Sequence, residues 1–471
     1  MAQQPQSPVD PMSATSVAGS CADSAPPDAR RSVGIDRHSF LTSAAKVAAG
    51  VVAGGAILDG VPALAFADRE RLRSININRG APVTISMTIN GATADQATFQ
   101  KIAALFHSQN PTINVNVMLF TGATWSDYFA KILTLVAGGR APDVIRIATE
   151  GARLFGARDL ALPLDSFIKR DAHEMRDYFS DVSPKLVNVF KYNGKQLALP
   201  FEWNNMVIFY NTKLFKKAGI APPRSNWTGD DFMAVGRKLR AAGAYGFNPW
   251  AGGTFGIVAW MYAAGGDLYN PAWTKPTATN PANVKAMQFL QDLVWKEKTS
   301  PRLGSPDFPL FEAARVGMIG AGRWPVNTFQ PAHFSDYDVQ YFPQLSAGRK
   351  TIFGVGAHPI FKHSKYPEEA WKFIKFLSSA QASRYATQLG FSIPSRRSVA
   401  YDSTLMIPPH NFRIYYDSLA AAESIPAPAQ FNEVESALNG VYTKMMANEM
   451  TPQAMLQLLN QQITSILTKP V

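Results

Sequence analysis

The chain is 471 residues long, about three domain equivalents at roughly 150 residues each, so it can bury more than one core without covalent staples. Hydrophobic residues make up 46% and charged residues 17%, a balance that excludes disordered, collagenous and coiled-coil classes. Its single cysteine, Cys21, excludes a disulfide or thiolate-metal scaffold, and its net charge of +11 is scattered, with no basic segment interleaved with aromatics to serve a nucleic acid.

Residues 1–36 are rich in Pro, Ser, Ala and Asp without apolar periodicity, so they are expected to be disordered. Arg37-His38-Ser39-Phe40-Leu41, the uncharged run 47–58 and Ala65-Phe66-Ala67 then follow the order of a secretory signal: basic region, apolar region, small-residue cleavage site. The 12-residue run falls short of the roughly 20 residues a membrane-spanning helix needs. It resembles twin-arginine signals, with His38 in the place of the second arginine. Cleavage after Ala67 leaves 404 residues with a net charge of +12 and no cysteine. Such a chain suits an oxidising periplasmic or extracellular compartment.

In the mature part, Val83, Ile85, Met87 and Ile89 alternate as a strand does. Phe99, Ile102, Ala103 and Phe106 recur at helical spacing, and Ile113, Val115, Val117 and Leu119 alternate again. A helix over 125–137 and a strand over 143–147 extend this to βαβαβ, which predicts a parallel sheet. Ligands of such open sheets bind beyond the carboxyl ends of the strands, here the loops 90–93, 121–125 and 148–151. Tyr192-Asn193-Gly194-Lys195 reads as a hairpin. Beyond it lie a strand over 206–210, helices over 214–218, 230–242 and 283–297, a strand over 337–342, and helices over 368–379 and 452–467. These imply a second α/β lobe.

No P-loop, GxSxG elbow or HExxH motif occurs, and the six histidines that survive cleavage show no metal-ligand spacing. No metal or cofactor is expected. The chemistry that stands out is aromatic. All nine tryptophans fall in the mature part, several in Gly-, Asn- or Pro-containing loops around Trp203-Asn204, Trp250 to Phe255, and Arg323-Trp324. An aromatic face stacks on the C–H face of a sugar ring while Asn, Asp, Glu and Arg hydrogen-bond its hydroxyls.

Several stretches in their order resemble the extracellular solute-binding proteins of ABC importers, in the sugar-binding group that includes maltose-binding protein. They are FHSQNPTINV at 106–115, GRAPDV at 139–144, LPLD at 162–165, YNGKQLALP at 192–200, FYNTKLFKKAGI at 209–220, EAWKFIKFL at 369–377 and GFSIPSRRS at 390–398. The likeness implies an α/β, two-lobed periplasmic-binding-protein architecture with a hinged cleft between the lobes. It places lobe 1 at 68–200 and 354–392 and lobe 2 at 201–353 and 393–471, after the leader and signal of 1–67. The chain would cross between lobes near 199–202, 353–357 and 391–395.

By the same likeness Glu150 stands where maltose-binding protein presents a sugar-binding carboxylate, and Asn204 where it has a glutamate. Trp324 looks like a stacking tryptophan, and Phe431 matches another aromatic. Asn90, Trp203, Trp250, Phe255, Gly354 and Arg397 complete the expected ligand-binding set. Ile147 replaces a tryptophan, so the same sugar is not implied. The expected role is non-enzymatic: a monomer that captures a carbohydrate or polyol by lobe closure and hands it to an ABC permease and its ATPase. Two alternatives remain open at this point: a sugar phosphate or other anion bound through Arg323 and Arg396, and an exported carbohydrate-active enzyme, for which Glu150 is the candidate acid.

Overall fold

Alternation in the first strand, β1 (Val83–Asn90), buries Ile85, Met87 and Ile89 on one side of a sheet, and the helix that follows, α1 (Thr93–Gln109), packs Phe99, Ile102 and Phe106 inward. The computed structural model describes residues 82–471 apart from 122, 123, 250–252 and 306. The expected leader and signal, and Trp250, lie outside the described residues.

The chain continues through β2 (Ile113–Phe120), α2 (Trp125–Ala137), β3 (Val144–Ile145), β4 (Ile147–Ala148) and α3 (Thr149–Ala157). The hairpin expected at Tyr192–Lys195 is β5 (Lys191–Tyr192) with β6 (Lys195–Gln196), turning through Asn193 at φ 48° and Gly194 at φ 77°. Next come β7 (Pro200–Asn205), β8 (Val207–Asn211), α4 (Gly229–Ala241), β9 (Tyr245–Asn248), α5 (Thr254–Ala264), α6 (Pro281–Trp295) and β10 (Val316–Ala321). The last part holds β11 (Tyr337–Gln340), β12 (Thr351–Ala357), α7 (Pro367–Leu377), β13 (Ile393–Pro394), β14 (Ala422–Ser424), α8 (Phe431–Met446) and α9 (Pro452–Leu467).

Besides the β5–β6 hairpin, three sheets organise the described strands. The first has the order β2-β1-β3 and is parallel throughout, as the βαβαβ pattern predicts. The second has the order β11-β8-β10-β9. The third, β13-β7-β12-β14, brings together the three stretches expected to cross: Trp203 pairs with Val355 on one side and with Ile393 on the other. The strand expected over 143–147 splits at Arg146: β3 pairs with β1, whereas β4 pairs with β12 of the third sheet. One apolar run therefore serves two sheets, and Arg146 sits at the change.

The first hydrophobic cluster surrounds β1 and α1, where Phe106 meets Phe373 and Phe376 of α7 at ring separations of 5.1 and 5.4 Å, and it runs on to Phe209 of β8. The second is centred on Trp260 of α5, whose ring lies 5.6 Å from Phe232, 5.2 Å from Phe289 and 4.5 Å from Phe342. α4 starts where the sequence signals it. Thr228 Oγ1 accepts from Asp231 N–H at 3.2 Å while Asp231 Oδ2 accepts from Thr228 N–H at 2.8 Å, a reciprocal cap. Among the described residues no helix is long and apolar enough to cross a membrane.

Candidate functional site

The carboxyl ends of the parallel strands open onto a cavity of ≈ 590 Å³, within the range of small-molecule sites. Its first wall comes from the loops that the strand-end argument selects: Asn90 ends β1, Thr124 and Trp125 start α2, and Ala148 and Glu150 lie where β4 turns into α3. The floor is the third sheet, through Glu202 and Asn204 of β7 and Gly354, Val355 and Gly356 of β12. Gly253 and Phe255 at the start of α5, Asp307, Trp324 after β10, and Glu435 and Asn439 of α8 form the opposite wall. Glu435 and Asn439 share a helix face because they are four residues apart.

A cap and close ring packing position some of these groups. Thr124 accepts from Asp127 N–H at 3.2 Å, which starts α2 with Trp125 at its first position. Phe255 and Trp324 meet edge to face at 5.9 Å. Gly354 leaves bare backbone between them and Glu150: a Cβ there would lie 3.4 Å from the Phe255 ring and 3.8 Å from Glu150 Oε2.

Four carboxylates and one guanidinium line the cavity among the described residues. Arg146 donates to Glu202 Oε1 from Nε at 3.1 Å and Nη2 at 2.6 Å, and to the Asn90 carbonyl from Nη1 at 2.6 Å. Burial pushes the Glu202 carboxyl upward, opposed by the Arg146 charge. Glu150 is only 5% exposed and its Oε2 has no hydrogen-bond partner. Burial raises it to about 8, against the pull of its own backbone amide and with help from the nearby Glu435 charge. Asp307 is pushed up to about 7 by burial, opposed by the donating Asn248 amide. Glu435 accepts from Ser126 Oγ and from Thr254 N–H, the latter at 3.2 Å. No group of His, Cys, Asp and Glu among the described residues is arranged to hold a metal ion.

Of the residues expected from sequence, Asn90, Glu150, Asn204, Phe255, Trp324 and Gly354 line the cavity together. Three others do not. Trp203 is fully buried, edge-on to Tyr416 at 5.6 Å, because adjacent residues of a strand face opposite ways and Asn204 takes the cavity side. Phe431 is closed into the second core one turn before Glu435. Arg397 is exposed, its guanidinium 5.3 Å from the Tyr401 ring centroid. Neither arginine of the anionic alternative lines the cavity. Arg323 donates to the carbonyls of Phe391 and Ser392, and Arg396 pairs with Asp177 and Asp181 at 2.7 and 3.2 Å.

Sequence reasoning passed over Trp125, Arg146, Glu202, Asp307, Glu435 and Asn439 as site residues. Two carried a readable signal: Trp125 lies in a selected strand-end loop, and Arg146 is a charge inside an apolar strand. Glu202 directly precedes the expected Trp203-Asn204 pair, whereas Asp307, Glu435 and Asn439 reach the cavity from segments far apart in the chain.

Residues 90–384 match the family described as bacterial extracellular solute-binding protein. The chain belongs to that family. A binding protein of Brucella abortus is 29% identical over 290 residues, covering 59% of this chain and 68% of the relative. Among solved structures, an ABC substrate-binding protein of Listeria monocytogenes in complex with cycloalternan superposes with a TM-score of 0.74 at 26% identity, covering 82% of this chain and 98% of that one. A solute-binding protein of Thermotoga lettingae bound with α-D-tagatose gives 0.72 at 23% identity, covering 82% and 99%. The solute-binding protein thus has the two-lobed fold expected from its sequence, in a family of extracellular binding proteins rather than enzymes.

Proposed function

We propose that this solute-binding protein captures a small sugar or polyol in the cavity between its lobes and delivers it unchanged to the membrane permease of an ABC importer. The observation that carries this reading is the lining itself: the aromatic residues Trp125, Phe255 and Trp324 share one cavity with Asn90, Glu150 and Asn439. Flat apolar faces opposed by hydrogen-bonding groups match a molecule with C–H faces and a hydroxyl edge. The cycloalternan and tagatose complexes of similar proteins support the same class.

Capture works by closure: the solute binds one lobe, and contacts from the second favour the closed state by their differential affinity. The lobe boundaries 68–200 with 354–392 and 201–353 with 393–471 belong to this proposal, as does export directed by residues 1–67. We read the protein as a carrier without catalytic turnover, in keeping with a family of solute-binding proteins. The anionic alternative lacks a free cation among the described residues of the cavity, since Arg146 is held by Glu202. A thermal-shift screen of the mature chain against sugars and polyols tests the proposal, because a ligand that binds only the folded state raises its melting temperature. At least one neutral or amino-substituted carbohydrate is expected to do so, and phosphorylated sugars are not.

A further inference from the structure

The charge balance of the cavity is lopsided. Arg146 and Glu202 neutralise each other, which leaves Glu150, Asp307 and Glu435 without a cation among the described lining residues. Glu150 Oε2, buried and unpaired, marks where the missing partner belongs, since a buried polar atom left unsatisfied is costly. A second buried carboxylate oxygen, Glu202 Oε2, is also unpaired. In the ionised carboxylates these two oxygens are acceptors without donors, and an ammonium placed beside Glu150 favours its ionised form.

We propose that the solute carries a protonated amine, as an amino sugar or amino polyol does, and that Glu150 reads that amine; this rests on the carbohydrate reading above. An ammonium brings three donors and no acceptor, whereas a hydroxyl brings one donor together with an oxygen that finds further acceptors around it. The space above Gly354 suits the ammonium, because a group placed there touches both Glu150 Oε2 and the Phe255 ring. A cation between a carboxylate and an aromatic face gains from both. Phosphate and carboxylate ligands find no free cation among the described lining residues, because Arg146 is held by Glu202.

Calorimetric titration of matched pairs tests this at about pH 7: D-glucosamine against D-glucose, D-galactosamine against D-galactose, and D-glucamine against D-sorbitol, with N-acetyl-D-glucosamine as an uncharged control. At least one amine is expected to bind about tenfold or more tighter than its hydroxyl counterpart. Glu150→Gln is expected to erase that preference, lowering the affinity for the amine about tenfold more than that for its hydroxyl counterpart. Should that variant fail to fold, Glu435→Gln, which removes a second charge facing the same space, is expected to reduce the preference severalfold. If neutral sugars bind as tightly as their amines, or if the amine preference survives in the folded variants, the inference is wrong and the carbohydrate reading stands. If neither amines nor neutral sugars or polyols bind, both fall.

Discussion

Asn204 Oδ1 accepts a hydrogen bond from the Arg323 backbone N–H at 2.9 Å. This bond ties β7 of the floor to the residue preceding Trp324, so the tryptophan is oriented from the third sheet rather than by its own loop alone. The fit is close: a Cβ on Gly322 would lie 2.5 Å from both Asn204 Oδ1 and the Trp324 ring. Asn204→Ala should cost about 1 kcal/mol of stability and weaken solute binding by about fivefold, because the ring loses its fixed position. Titration calorimetry together with denaturant melts separates the two effects.

Gly354 gives a second handle on the cavity. Its neighbours are Phe255 and Glu150, so Gly354→Val places a branched side chain where the solute must lie while keeping a residue that β12 accepts readily. Binding should fall by about a hundredfold or more, with circular dichroism and melting temperature close to those of the parent.

The Arg146–Glu202 pair is buried, and removing one partner strands the other charge. Arg146→Met should destabilise the protein by about 3–5 kcal/mol, whereas Arg146→Met with Glu202→Leu should recover much of that loss. Urea unfolding of the single and double variants measures the difference.

Stability of the empty protein should also depend on pH in a definite direction. Glu150 and Asp307 titrate at about 8 and about 7 in the folded chain, against roughly 4 when unfolded. Between these values the folded state keeps protons that the unfolded state has lost, so stability falls as pH rises from about 4.5 to about 8. The melting temperature of the unliganded protein should drop across that window. Glu150→Gln, which cannot titrate, should flatten the decline.

Much of the fold is legible because local patterns and tertiary packing agree. The alternation of Val83 to Ile89 has one phase that buries Ile85, Met87 and Ile89, and the strand is where the pattern puts it. The helix read over 125–137 is bounded as observed, since Thr124 caps it. α5 escaped detection because Thr254–Ala264 is apolar on every side and buried almost throughout, so it shows no helical period. In the site, the strand-end argument selects the loops that hold Asn90 and Glu150, and the family resemblance singles out those two residues within them. Trp203 illustrates what sequence withholds: alternation says that Trp203 and Asn204 face opposite sides, but not which side is the cavity. Glu435 and Asn439 lie far along the chain from β1, and only the packing of α8 against α2 brings them in.

The proposed capture requires Trp324 and its neighbours to grip a carbohydrate and release it intact. The most direct measurement is calorimetric titration of the solute found by thermal shift into the parent protein and Trp324→Ala, with the solute recovered afterwards and weighed by mass spectrometry. The account predicts one site per chain, an affinity loss of about tenfold or more in the variant beyond the ring's own stacking worth of roughly 1 kcal/mol, and a recovered molecule of unchanged mass. Equal affinity in the two proteins, or a solute returned as product, would contradict it.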